Sequence, residues 1–301
     1  MGLLLVTATG ICSMMGASIN VIPFMIQKNV PGIGPYVVPA FLFAAIPAVF
    51  AAYAYAILSS AMPRAGGSYL YASRGLSPYL GFIASFSQWF GLSIVIGVIS
   101  YIIVPFIRDI FFNLELNNIS DFLEIGYVRL FISLMLIWSF VLVNILGGKV
   151  YKNTLIPMLV IMFVLGSIVI ITGFIYDQKD FINSVLSTDN RVIETISDSK
   201  FDWKIFVTAS TLMFSSFIGF DAIAQTGNEA KNPTKNIPRA ILLAIFTVAS
   251  YYILFTVSVY NVVPWNFVAD ESLIKDITAP GLLSYVLPSF WGILIIIGAA
   301  I

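Results

Sequence analysis

Long apolar runs, each closed off by a short polar cluster, recur along almost the whole chain. Eight of them are long enough to cross a bilayer core, which takes about 20 residues of helix at 1.5 Å rise per residue. They cover residues 2–26, 36–61, 79–107, 128–147, 154–176, 204–226, 240–263 and 282–301. The strict two-residue alternation of a membrane barrel strand does not occur in the sequence. The pattern predicts an all-α polytopic membrane protein. The first run is not expected to be a cleavable leader, because Met1-Gly2-Leu3-Leu4-Leu5 has no basic start and the apolar stretch outruns a signal's core.

The polar clusters fall into two alternating sets. One is short and basic: 63–78 carries Arg64 and Arg74, 147–153 carries Lys149 and Lys152, and 227–239 carries Lys231, Lys235 and Arg239. Its only acid is Glu229. The other set is longer and acidic, with Asp109, Glu115, Asp121, Glu124, Asp177, Asp180, Asp189, Glu194, Asp198 and Asp202. Lys and Arg density sets orientation, so the short set and the N-terminus are expected on the cytoplasmic side.

Composition agrees. Of 301 residues, 59% are hydrophobic and 10% charged, where a soluble domain carries about a quarter charged residues. The mean hydropathy is +0.96. Too little polar surface remains to coat a globule in water, which excludes a soluble enzyme, a nucleic-acid binder and a disordered chain. Fifteen Lys and Arg against 15 Asp and Glu leave no field that would attract nucleic acid. Cys12 is the single cysteine and there is no His, so neither an internal disulfide nor a soft-metal site can form. Both ends lie inside apolar runs, and a fragment or truncated product of a longer protein is expected.

An uninterrupted apolar span needs only to pack. Small and polar residues at mid-span need a reason, because unwound backbone is tolerated there only where it lines a cavity or is buried in protein. The first run contains Gly10-Ile11-Cys12-Ser13-Met14-Met15-Gly16-Ala17-Ser18-Ile19-Asn20, followed by Pro23. The sixth contains Ser210-Thr211-Leu212-Met213-Phe214-Ser215-Ser216-Phe217-Ile218-Gly219-Phe220-Asp221. Close packing explains either one alone, since Ser13, Gly16 and Asn20 sit at helical contact spacing. The pairing shifts the weight. Runs one and six correspond in two five-helix halves, and interruptions at matching places point to a central binding site.

At a break, the half-helix that ends offers carbonyls and the half-helix that begins offers amides. These carry partial negative and partial positive charge, and a zwitterion such as an amino acid satisfies both. Amides of Gly16, Ala17 and Ser18 suit a carboxylate. Carbonyls of residues 11–14 and 215–217 suit an ammonium. Asp221 is the one acid placed inside a span. It is a functional candidate by default and equally a cap for the half-helix it opens; the two readings are compatible.

Three segments carry a resemblance. Ile218-Gly219-Phe220-Asp221-Ala222-Ile223, continuing through Asn228-Glu229-Ala230-Lys231-Asn232-Pro233-Thr234-Lys235-Asn236-Ile237-Pro238-Arg239-Ala240-Ile241, resembles the sixth-span signature and following loop of the amino acid–polyamine–organocation (APC) superfamily permeases. Met62-Pro63-Arg64-Ala65-Gly66-Gly67-Ser68-Tyr69-Leu70-Tyr71 is similar to that family's loop after span two, and Met15-Gly16-Ala17-Ser18-Ile19 stands where the family has a Gly-Ser-Gly break. The resemblance covers residues 1–301. It implies a five-plus-five inverted-repeat (LeuT-like) transporter fold, truncated at about eight transmembrane helices, with five spans in the first repeat and three in an incomplete second.

The family further implies secondary active transport of amino acids across the cell (plasma) membrane by alternating access, coupled to H+ or Na+ or run as exchange, with no other cofactor. Carried over residue by residue, Ser13, Gly16, Ala17 and Ser18 form one part of the substrate site, and Ser215, Ser216 and Phe217 the second. Phe214 or Phe220 is the hydrophobic gate, and Asp221 serves coupling or gating. Trp89, Ser93 and Gly97 fall at i, i+4 and i+8 on one helix face, which lines the pocket or packs on a neighbour.

Ser18 stands where a second Gly is usual, restricting backbone approach while adding a hydroxyl donor. The lysine that some proton-coupled members carry in span five has no counterpart, since Pro157, Met158 and Leu159 occupy that place. The loops 63–78 and 228–239 read first as topology determinants and helix starts, with Pro233 and Pro238 suited to the latter, and second as gating elements. Other classes fit less well. A membrane sensor built on a permease fold would use the same breaks to bind an amino acid without moving it. A channel needs a continuous polar stripe, and an intramembrane enzyme needs an acid–base or nucleophilic constellation that the sequence lacks. The substrate reads as a neutral amino acid from the scarcity of charge near the breaks, or as a cationic one or a polyamine from Asp221. Oligomeric state leaves no trace in the sequence.

Overall fold

A computed structural model describes residues 1–114, 116–145, 148–193 and 200–300. Glu115, Gly147, Glu194 and Asp198 fall outside the described residues, as do the side chains of Ala17, Lys149, Lys152 and Asp189.

Apolar runs become helices because a helix satisfies every backbone donor and acceptor within its own segment. In chain order they are α1 (Leu3–Met14), α2 (Ile22–Asn29), α3 (Val37–Ala61), α4 (Gly67–Gly75), α5 (Pro78–Asn113), α6 (Asn117–Glu124), α7 (Gly126–Ile145) and α8 (Gly148–Ile175). There follow α9 (Gln178–Asp189), α10 (Trp203–Phe214), α11 (Asp221–Gln225), α12 (Pro233–Val262), α13 (Trp265–Ile274), α14 (Ala279–Leu283) and α15 (Ser289–Ala300). No strand occurs among the described residues.

Among the described residues, six helical segments are long and apolar enough to cross a membrane: Gly34–Ala61, Pro78–Phe112, Gly126–Val143, Asn153–Ile175, Trp203–Gln225 and Pro233–Val262. These are runs two to seven. The first and eighth differ from the expected single spans. Run one is divided after Met14 into α1, a 3-10 turn at Ala17–Asn20, and α2. Run eight is not one helix: Leu282 and Leu283 close α14, and α15 begins at Ser289, just after Pro288. The polar clusters also hold helices, α4, α6, α9 and α13, that the apolar periodicity did not announce. The start of α9 follows local chemistry, with Asp177 and Asp180 forming a reciprocal capping box.

The described chain forms two compact units. The first comprises Met1–Gly16, Phe43–Val98 and Phe214–Tyr251. In it α1 packs on α11, and α11 on α4. Gly10 makes this possible: a Cβ there would stand 2.1 Å from Ile223 Cδ1, and Ile223 is fully buried. Along α3, Ala44, Ala48, Ala52 and Ala56 are all buried at four-residue spacing, and Ala240, Ile241, Ala244, Ile245 and Val248 of α12 are buried too. Small residues let helices approach closely where lipid offers no hydrophobic drive to associate.

The second unit comprises Ala17–Leu42, Ile99–Met213 and Tyr252–Ile301. Here α13 packs on α2, and α15 on α8 and α14. Val21, Phe106, Ile296 and Ala299 form a buried cluster ringed by Met25, Ile102, Ile103 and Ile110. Tyr260 stacks on Phe24 with ring centroids 5.5 Å apart, and its hydroxyl donates to the Pro23 carbonyl at 2.7 Å.

Candidate functional site

Both expected interruptions exist. In the first, α1 stops at Met14 and Met15 turns to extended backbone, its amide donating to the Ile11 carbonyl at 2.7 Å. The amides that open the following 3-10 turn have no acceptor within it, as at any helix start. The second break lies slightly later than the sequence suggests. Ser215–Phe217 is not unwound but a 3-10 turn continuing α10, and the chain leaves the helix at the extended Ile218 and the positive-φ Gly219, just before α11.

Gly219 explains that position. Its φ is +133°, a region L side chains rarely adopt. A Cβ at this residue would lie 2.5 Å from the Ser13 carbonyl oxygen. The second break therefore rests directly against the end of α1, one residue from the first. Of the residues expected here, Ser13 is exposed with its hydroxyl donating to the Thr9 carbonyl, Ser215 is exposed, and Phe217 is fully buried. Ser216 is the notable one: its hydroxyl is buried and has no hydrogen-bond partner among the described residues. A buried orphan hydroxyl costs about 1–3 kcal/mol, so a polar group from elsewhere would be favoured beside it.

Asp221 opens α11. The backbone amides of Gly219 and Ala222 are directed at its carboxylate, and Gln88 of α5 donates to its Oδ2. Gln88 was not singled out in the sequence. It is one amide in an apolar run, and nothing local marks it as the partner of a residue far along the chain. Its neighbour Trp89 is 64% exposed, and Ser93 and Gly97 are exposed with it. That stripe faces outward, and the polar contact to the second break comes from the adjacent face of α5.

The two resembling loops also meet. Phe220 makes an edge contact with Tyr55 at 5.4 Å, Tyr55 a second with Tyr71 at 5.7 Å, and the Tyr55 hydroxyl bonds Ser68 Oγ at 2.7 Å. Burial and the neighbouring Tyr55 push the Tyr71 hydroxyl up to about 12, so it stays protonated, and it too is buried with no hydrogen-bond partner among the described residues. Gly227 lies against the backbone of Arg64, where a Cβ would come within 2.5 Å of the Arg64 carbonyl carbon, and the Ala65 amide donates to Asn228 Oδ1 at 3.4 Å. No group of three or more Cys, Asp or Glu suited to a metal ion occurs among the described residues.

The amino acid permease family matches residues 1–301. The chain is 27% identical over 172 residues to "Cationic amino acid transporter 9, chloroplastic" of Arabidopsis thaliana, a match covering 52% of this chain and 28% of that protein. It is 29% identical over 121 residues to "Cationic amino acid transporter 4" of Homo sapiens, covering 40% of this chain and 17% of that one. A shorter match, 33% over 58 residues, covers 19% of this chain and 12% of "Branched-chain amino acid permease BcaP" of Bacillus subtilis (strain 168). The match thus spans well under a third of each of these relatives. With the family matched from end to end and transporters among its relatives, the chain belongs to the amino acid permease family.

Proposed function

We propose that the protein moves amino acids by secondary active transport through alternating access, holding the substrate at the two helix breaks. The observation that carries this reading is the contact between the breaks at Ser13 and Gly219, with the Ser216 hydroxyl, buried and without a hydrogen-bond partner among the described residues, in the turn just before it. The amides of Gly16, Ala17 and Ser18 receive the carboxylate, and the carbonyls at the end of α1 receive the ammonium, each favoured by the partial charge of a helix end. Ser215, Ser216 and Phe217 form the second part of the site. Phe220, braced by Tyr55, gates it, or Phe214 does.

In this reading runs one to five and six to eight belong to two inverted repeats, with the N-terminus cytoplasmic and the protein in the plasma membrane. Asp221 is the coupling group: a carboxylate held by Gln88 and backbone amides inside a span is suited to change partner during the cycle. Relatives named for cationic and for branched-chain amino acids make both classes the first substrates to offer.

The test is uptake by proteoliposomes holding the purified protein, offered labelled arginine, lysine, leucine and valine under a proton gradient, a sodium gradient or internal unlabelled amino acid. Accumulation of one class is expected. Saturable binding without accumulation under every condition would instead mark a sensor.

A further inference from the structure

Two polar cavities of the second unit share a wall formed by Arg108 and the turn Lys275–Asp276. The larger, about 550 Å³, sets Arg108, Arg191 and Lys275 against Asp109, Glu271 and Asp276, so its charges cancel. Most are also paired with one another: Arg108 with Asp109 at 2.7 Å, Arg191 with Glu271 and Lys275 with Glu271, both at 3.1 Å. Nothing in that cavity calls for a charged ligand.

The smaller cavity, about 270 Å³, is different. Lys28, Arg108, Arg129 and Lys275 border it with Glu124 and Asp276, while Arg108 and Lys275 are also held by Asp109 and Glu271 outside its lining. Its cations keep donors in hand. Arg129 spends Nε on the Tyr101 carbonyl and Nη1 on Asp276, both at 3.0 Å, leaving Nη2 without an acceptor among the described residues. Its guanidinium also lies over the Tyr101 ring, 3.8 Å from the centroid, so the fork is held in place. Lys28, at the end of α2, is exposed and has no ion pair or hydrogen bond among the described residues.

We propose that this cavity is an oxyanion site for a phosphate group, supplied in the membrane by a phospholipid headgroup. A fixed guanidinium fork with an ammonium at the same cavity matches the oxygens of a phosphate diester, and the unpaired Lys28 with the spare Nη2 of Arg129 supplies the charge to meet it. The depth also fits. Arg108 lies in the last turns of the apolar segment ending at Phe112, and Arg129 in the first turn of the one beginning at Gly126. Those are the levels at which a bilayer presents its headgroups. Leu116, Ile119 and Phe122, exposed on and beside α6, suit the same boundary.

The test compares thermal unfolding of the full chain in nanodiscs of phosphatidylcholine, of phosphatidylcholine with increasing phosphatidylglycerol, and of phosphatidylcholine with added inorganic phosphate. A saturable rise in Tm with phosphatidylglycerol is expected. Lys28→Gln removes a side chain that holds nothing else in the fold; it should raise the half-saturating fraction about fivefold, and Lys28→Arg should restore it. A matching rise with inorganic phosphate would support the oxyanion site and name free anion as a second source. A Tm indifferent to all three additions would overturn the proposal, and so would a phosphatidylglycerol response identical in Lys28→Gln.

Discussion

Gly219 is a sharp test of how the two breaks meet. Replacement by alanine places a Cβ against the Ser13 carbonyl and forces a side chain into φ +133°, a strain of about 1–3 kcal/mol before any clash is counted. Gly219→Ala should therefore lower the Tm of the detergent-solubilised protein and weaken substrate binding. For the Tm, Gly16→Ala is the control, since a Cβ there meets nothing within 4 Å. An equal Tm in the two variants would mean the breaks do not touch as described. At Asp221 the informative change is to asparagine, which keeps an acceptor for Gln88 and the backbone amides but loses the charge. Transport by Asp221→Asn should differ from wild type in its pH profile; a superimposable profile would leave Asp221 as a cap alone. At this scale the sequence singled out Asp221 and Ser216, because polar residues stand out in an apolar run, while Gly219 passed as one more small residue. Gln88 and Tyr55 stayed hidden, because their partners lie on other segments and no local pattern encodes that contact.

At the scale of elements, a run of apolar residues says that a helix forms but not where it must stop. The second break illustrates the gap. Ser215-Ser216-Phe217 invites unwinding by composition, yet these residues keep helical turns, and only a glycine tolerates the positive φ that the contact with α1 demands. The loops held a further surprise. Helix α13 buries Phe267, Val268 and Ser272 and carries Glu271, 5% exposed, to meet Lys275 and Arg191. Burial would raise the pKa of Glu271, but Lys275 and Arg191 outweigh it and hold it below the usual glutamate value. A depressed folded pKa adds stability that is complete above the ordinary glutamate range and is lost as pH falls through the depressed value. The Tm should decline on acidification below the ordinary range. Glu271→Gln should lower the Tm at neutral pH and flatten that acid-dependent part; an unchanged acid limb would show that this ion pair is not what titrates. The loop contact at Gly227 belongs to the same scale. Gly227→Val should drive the segment off the Arg64 backbone and impair transport, whereas Arg239→Gln, read as a topology determinant, should leave transport near wild type in correctly inserted protein.

For the whole molecule, composition and periodicity sufficed for an all-helical membrane protein, and the three resembling segments pointed to the permease family that the full-length match bears out. What the sequence could not supply was the pairing of segments: Gly10 with Ile223, Ser13 with Gly219, Arg64 with Gly227. Each pair joins residues about 160 or more positions apart, and each depends on a glycine whose meaning appears only when its neighbour is known. The central claim is that the paired breaks bind the transported amino acid. Its most direct test is labelled amino-acid binding and gradient-driven uptake by wild type, Ser18→Leu and Ser216→Leu, reconstituted side by side with insertion verified. The account predicts that wild type accumulates one amino-acid class and that both variants lose binding and uptake together. Wild-type affinity retained in both inserted variants would contradict it.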